Sequence, residues 1–130
     1  MSKQIDIVKK LWGFAKILKD DGVTYLQYTT ELTYLLFLKM NNELGKDKIL
    51  PKNYRWNDLV NKTGSTQYNF YRKMLIELGL SKDFYLQNIF LNASTSIREP
   101  KNLTTLITNI NNLDWYSIKN KEAATDVIDI

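Results

Sequence analysis

Neither cysteine nor histidine occurs in the 130 residues of this chain. Without cysteine there is no disulfide framework and no zinc site built from thiolates. Without histidine the commonest general base is gone, and with it the catalytic triads and most transition-metal ligand sets. Glycine is sparse, with five residues at Gly13, Gly22, Gly45, Gly64 and Gly79. No two are close enough for a G-x-G turn or a P-loop, so no nucleotide-phosphate cradle is encoded. The densest acidic pair, Asp20–Asp21, stands beside Gly22 and reads as turn chemistry rather than a metal site. Nothing supports a Ser–Lys nucleophile and base pair. The longest apolar run, Tyr34–Leu38, falls far short of the ~18 residues that spanning a bilayer requires. The N-terminal "MSKQIDIVKKLW" is amphipathic and charged, unlike a signal peptide. The chain is expected to be cytoplasmic, to have no membrane partner, and not to be an enzyme by itself.

What is present is an ordinary globular composition, 44% apolar and 25% charged, in a length that suits one domain spanning residues 1–130. The net charge of +4 is unevenly placed. Residues 1–62 carry 11 Lys/Arg against 7 Asp/Glu, whereas residues 63–130 carry 7 of each. A basic half permits an acidic partner such as DNA. It is equally what a solvated, lysine-rich surface looks like.

Helical periodicity dominates. Ile5, Ile7, Val8, Leu11, Trp12, Phe14, Ala15 and Leu18 fall on half of a helical wheel, with Lys3, Asp6, Lys9, Lys10 and Lys16 on the other half. Gly22 is the expected stop. A second helix is predicted over residues 24–44, ending at Gly45. Its stretch "TTELTYLLFLKM" is apolar nearly all round, so other helices are expected to wrap it. "KDKILPKNYR" reads as a basic loop, because Pro51 opposes a helix. "WNDLVNKTG" predicts a short helix stopped by Gly64. A further helix follows, capped by Ser65 or Thr66 and stopped by Gly79. "SKDFYLQNIFLNAS" is open between a bent helix and an extended connection. Pro100 suits a first helical turn, and Leu103, Leu106, Ile107, Ile110 and Leu113 give that helix one apolar stripe. The tail "KNKEAATDVIDI" reads as a helix just beginning. The expected class is all-α, a small bundle of about five to seven helices around a buried central hydrophobic helix.

Aromatic residues are plentiful, among them Tyr25, Tyr28, Tyr34, Tyr54, Trp56, Tyr68, Phe70, Tyr71, Phe84, Tyr85, Phe90, Trp115 and Tyr116. Interleaved with Arg55, Arg72 and Lys73 they fit base stacking and phosphate contact; they fit equally well as the filling of a small bundle. "WNDLVNKTGSTQYNFYRKML" has the outline of a helix-turn-helix, with Tyr68, Tyr71, Arg72 and Lys73 on its longer helix. Helical bundles that never touch DNA share that outline.

Three stretches in order, the first holding two separate pieces, resemble a known family. "LWGFAKILKDDGVTYLQYTTELTYLLFLKM" is similar to the opening of the M (modification) subunit of type I restriction–modification DNA methyltransferases. There a Leu-Trp helix and a short loop precede a hydrophobic helix ending in Leu-Phe-Leu-Lys, here Leu36-Phe37-Leu38-Lys39. "YRWNDL" resembles the family's tryptophan-bearing segment. "NIFLNASTSIREPKNLTTLITNINNLDW" resembles its passage through "I-x-x-P-x-x-L" to a final helix.

The resemblance implies an N-terminal helical domain that precedes a Rossmann-like catalytic domain. In the family that catalytic domain binds S-adenosylmethionine through a glycine-containing loop and methylates adenine N6 at an Asn-Pro-Pro-aromatic motif. Neither element occurs here, since both prolines, Pro51 and Pro100, lie elsewhere. The chain therefore reads as a fragment, a split subunit or a stand-alone relative, with S-adenosylmethionine implied for the full-length protein only. Double-stranded DNA, the specificity subunit, a second modification subunit and the restriction subunit are the implied partners. The candidate DNA contacts are Lys46, Lys48, Lys52, Arg55, Arg72 and Lys73. Lys39 is expected to lay its stem along the apolar packing while its ammonium reaches solvent, another subunit or phosphate. Two readings compete with this accessory domain: an independent helix-turn-helix regulator, and a pure protein–protein module.

Overall fold

The computed structural model describes residues 9–113. Ile5, Ile7, Val8, Trp115, Tyr116 and the expected tail helix lie outside them. Among the described residues there is no strand. Residues 9–13 are helical and lead through a turn at Phe14 into α1, Ala15–Lys19. Then follow α2, Tyr25–Glu43; a 3-10 turn, Asp47–Ile49; α3, Trp56–Val60; α4, Gly64–Gly79; α5, Phe84–Phe90; and α6, Pro100–Asn111.

Local chemistry explains most of the ends. Thr24 caps α2 by accepting from the Gln27 N–H at 3.2 Å, and the Gln27 side chain returns a bond to the Thr24 N–H at 3.0 Å. That reciprocal pair satisfies two otherwise orphaned donors. At the other end Lys46 N–H reaches Asn41 O at 2.8 Å and Gly45 N–H reaches Asn42 O at 3.2 Å, a Schellman closure. Pro100 opens α6, where a missing N–H costs nothing. Gly79 ends α4 for a different reason: a Cβ there would stand 2.4 Å from the Phe90 carbonyl oxygen. The ambiguous segment after it resolves into α5 followed by an extended connector, residues 91–99.

Gly64 departs from expectation. It does not stop α3, which ends at Val60; it opens α4, with Thr63 rather than Ser65 or Thr66 in the capping position. Its φ of +59° cannot continue a right-handed helix, so the chain breaks before it. Its N–H donates to Thr104 Oγ1 of α6 at 3.3 Å. Thr104 in turn donates to buried Gln67 at 2.6 Å, and Gln67 donates to Leu59 O at 3.0 Å. This chain of bonds fixes the α3–α4 corner against α6.

The core is apolar and shared between helices. α6 packs on α1, α2, α3 and α4, while α2 packs on α1, α3, α6 and the 3-10 turn. Between Glu31 and Met40 of α2 no residue is exposed, whereas Tyr25, Leu26 and Gln27 of its first turn are. Leu103, Leu106, Ile107, Ile110 and Leu113 are all buried. Aromatic rings fill much of the interior: Tyr28, Tyr71, Trp56 and Phe90 are fully covered. The polar tips find partners, as with Trp56 Nε1 on Asn111 Oδ1 at 2.9 Å and the Tyr28 hydroxyl on Leu11 O.

Two carboxylates hold the connector 91–99 to the bundle. Asp21 is more than a turn residue: its Oδ2 accepts from the N–H groups of Arg98 at 2.7 Å and Glu99 at 3.1 Å, just ahead of α6. Glu31 is only 1% exposed and accepts from the Tyr71 hydroxyl at 2.5 Å, the Thr95 hydroxyl at 2.6 Å and the Ser96 N–H at 2.5 Å. Burial pushes its carboxyl above the ordinary glutamate range, outweighing those donors, which pull it down. Burial and the neighbouring Glu31 charge likewise raise the Tyr71 hydroxyl well above its usual value.

Candidate nucleic-acid interface

The basic loop leaves α2 at Gly45 and returns to the core at Trp56. Leu50 is buried and anchors its middle, so the residues around it point outward. Lys46, Lys48 and Lys52 are exposed, and none of the three has an ion-pair partner among the described residues. Arg55 is half-buried. Its Nη2 donates to Leu50 O at 3.4 Å and its backbone N–H to Asp58 Oδ2 at 3.1 Å, so it braces the loop against α3. Its Nε is buried without a partner.

Beside Arg55 a cation and two rings lie together. Tyr54 and Phe70 stack at 5.6 Å between centroids and 29° between planes. Lys62 Nζ sits 4.0 Å from the Phe70 ring centroid and donates to Asp58 O at 2.9 Å. Sequence reasoning missed Lys62. It comes from the α3–α4 turn and Phe70 from the second turn of α4, a pairing that no helical spacing announces.

The other expected contacts lie elsewhere. Arg72 and Lys73 are exposed on α4, but Arg72 lines a separate recess with Tyr68, Ile76, Ala93, Ser94 and Thr95. Tyr71, on the longer helix of the helix-turn-helix outline, is fully buried against Glu31. Lys39 also needs correction. It is 4% exposed and ion-paired with Glu43 one turn on, so its ammonium does not reach solvent. The aliphatic stem lies in the core as expected, but a buried ammonium needs a counter-charge, and Glu43 at i+4 supplies it.

An apolar groove of about 650 Å³ opens next to the loop. Phe37 and Met40 of α2, Leu44 just past its end, Ile49 of the 3-10 turn, and Tyr85 and Ile89 of α5 line it, with Lys46 among them. Tyr85 and the adjacent Phe84 are exposed. Among the described residues no three Asp or Glu side chains group as a metal site, and no helix is long and apolar enough to cross a membrane.

No family model matches the chain. The methylase subunit of the type I restriction enzyme EcoKI from Escherichia coli K12 is 48% identical over 113 residues, 86% of this chain and 21% of that protein. Over most of its length this chain is homologous to the methylase (M) subunits of type I restriction enzymes. The StySPI methylase subunit of Salmonella potsdam is 44% identical over 113 residues, again 86% of the chain and 21% of the relative. The StySJI methylase subunit of Salmonella typhimurium is 42% identical over 126 residues, 96% and 24% respectively. The crystal structure of the EcoKI M protein superposes with a TM-score of 0.80 at 47% identity, covering 86% of this chain and 24% of that one. The chain thus spans between a fifth and a quarter of the length of the methylase subunits it matches.

Proposed function

We propose that these 130 residues form a helical accessory domain of a type I restriction–modification N6-adenine DNA methyltransferase, contacting DNA backbone and partner subunits without chemistry of their own. The observation that carries this reading is the basic loop. In a chain akin to DNA-modifying subunits, Lys46, Lys48 and Lys52 stand exposed, without ion-pair partners among the described residues, with Arg55 beside them. Loops reach partners that a helix face cannot. The nearby apolar groove offers the uncovered area that contact with another subunit of the restriction enzyme would bury.

S-adenosylmethionine would serve the whole subunit, and the residues here do not suit it. The glycines stand singly at helix boundaries or within helix, so no backbone cradle approaches a ligand. The isolated chain should therefore show no micromolar S-adenosylmethionine binding by calorimetry, and measurable binding would overturn that assignment. The cofactor and the adenine-methylating chemistry belong to a catalytic domain of the full-length protein.

Backbone contact is indifferent to sequence and strongly dependent on salt, each phosphate contributing a slope of about −0.9 to log affinity against log salt. In the full-length methyltransferase, alanine at Lys46, Lys48, Lys52 and Arg55 together should weaken all DNA sequences alike and flatten that slope. Loss of affinity for one target only would favour a base-reading regulator. An unchanged slope would leave the loop as solvated surface and favour a protein–protein module. The regulator has less in its favour, because Tyr71 is committed to the core.

A further inference from the structure

We propose that the Lys62–Phe70–Tyr54 ledge is a preorganised phosphate contact, with Lys62 touching the DNA backbone and Phe70 as its positioning residue. The inference rests on the DNA reading and adds to it a cation that the basic loop does not contain. A surface lysine ordinarily samples many rotamers, and each bond it makes to phosphate must overcome that freedom. Lys62 is different. The Phe70 ring attracts the ammonium electrostatically at 4.0 Å, and the Asp58 carbonyl takes one of its three protons. Two donors remain for a ligand.

The surroundings favour an anion. Lys52 is exposed and Arg55 half-buried on either side of Tyr54 in the chain. The carboxylate of Asp58 is engaged with the Arg55 N–H at 3.1 Å. Tyr54 backs Phe70 by stacking, which keeps the ring from turning away. The corner itself is held by Gly64, Gln67 and Thr104, so the ledge does not depend on a floppy support. Three cations in and beside a rigid corner match repeated phosphodiester charges better than one isolated carboxylate.

The test uses the full-length methyltransferase and duplex DNA titrated over a range of salt. Lys62→Gln should lower the magnitude of the salt slope by about 0.9, which is roughly an eightfold loss of affinity at 0.1 M salt taking 1 M as reference. Phe70→Leu keeps apolar bulk but removes the π face. It should lose part of that affinity at an unchanged melting temperature, and adding Lys62→Gln to it should lose less than Lys62→Gln costs alone. Lys82→Gln removes the same charge beyond the other end of α4, about 24 Å along a 16-residue helix, and should leave the slope unchanged. A slope flattened by the four-alanine loop variant but not by Lys62→Gln would overturn the ledge while sparing the DNA reading. Equal effects of Lys62→Gln and Lys82→Gln would also overturn it, as a general charge effect. If neither the loop variant nor Lys62→Gln moves the slope, the DNA reading itself fails.

Discussion

Leu36→Asp should unfold the domain. Leu36 is 0% exposed, on the stretch of α2 where every residue from Glu31 to Met40 is buried or half-buried. An aspartate there would carry an ionised carboxylate into apolar packing, where Lys39, three residues on, is already paired with Glu43. Even neutralised by a raised pKa, it would leave polar atoms unpaired and the leucine's volume unfilled. Each of these effects amounts to several kcal/mol, against a total stability of about 5–15 kcal/mol for a domain of ordinary size. Circular dichroism should show loss of most helical signal at 25 °C. A variant matching wild type in both signal and melting temperature would mean that this face of α2 can open to water.

The helix pattern was legible because it is local. Thr24 and Gln27, Gly45, Pro100 and the stripe from Leu103 to Leu113 act within a few residues of one another. Each can be read without knowing where the chain goes next. Lys39 shows where local reading stops short. Glu43 lies four residues on and was visible as a partner, but whether the ammonium snorkels or stays covered depends on what packs against α2. Gly64 shows the same limit for a turn. A glycine between two helices can close the first or open the second, and the bond from its N–H to Thr104, forty residues away, accompanies the second choice.

The candidate site was half legible. The charges of the loop can be counted in the sequence, and Pro51 marks it as non-helical. That Arg55 braces the loop while three lysines stand exposed needs the position of Leu50. Lys62 on Phe70 depends on the angle between α3 and α4, which no residue spacing announces. Glu31 is the clearest case. The sequence shows an acid in the middle of an apolar helix, but its donors come from Tyr71, Thr95 and Ser96, 40 to 65 residues downstream.

Those donors make Glu31→Ala the most costly surgical change in the polar interior. Removing the carboxylate leaves two hydroxyls and one N–H facing a cavity, and each buried unsatisfied group costs about 1–3 kcal/mol. Relief of the carboxylate's own desolvation offsets part of this, so a net loss on the order of 3 kcal/mol is expected from urea denaturation. The connector 91–99 should loosen first, seen as faster amide exchange at Ser96 than in the apolar centre of α6. Glu31→Gln should fall between the two, since its oxygen still accepts while its amide nitrogen confronts a donor. The pH dependence then separates the charge from the packing. A carboxyl whose pKa is higher folded than unfolded holds its proton more tightly in the native state. Stability from that group is therefore fully present below the ordinary glutamate value of 4.5 and falls as pH rises from there through the raised native pKa. Wild type should accordingly lose stability relative to Glu31→Gln across that window. A gap between the two that stays constant with pH would mean that the three donors cancel the effect of burial on Glu31, and wild type gaining on Glu31→Gln as pH rises would mean that they outweigh it.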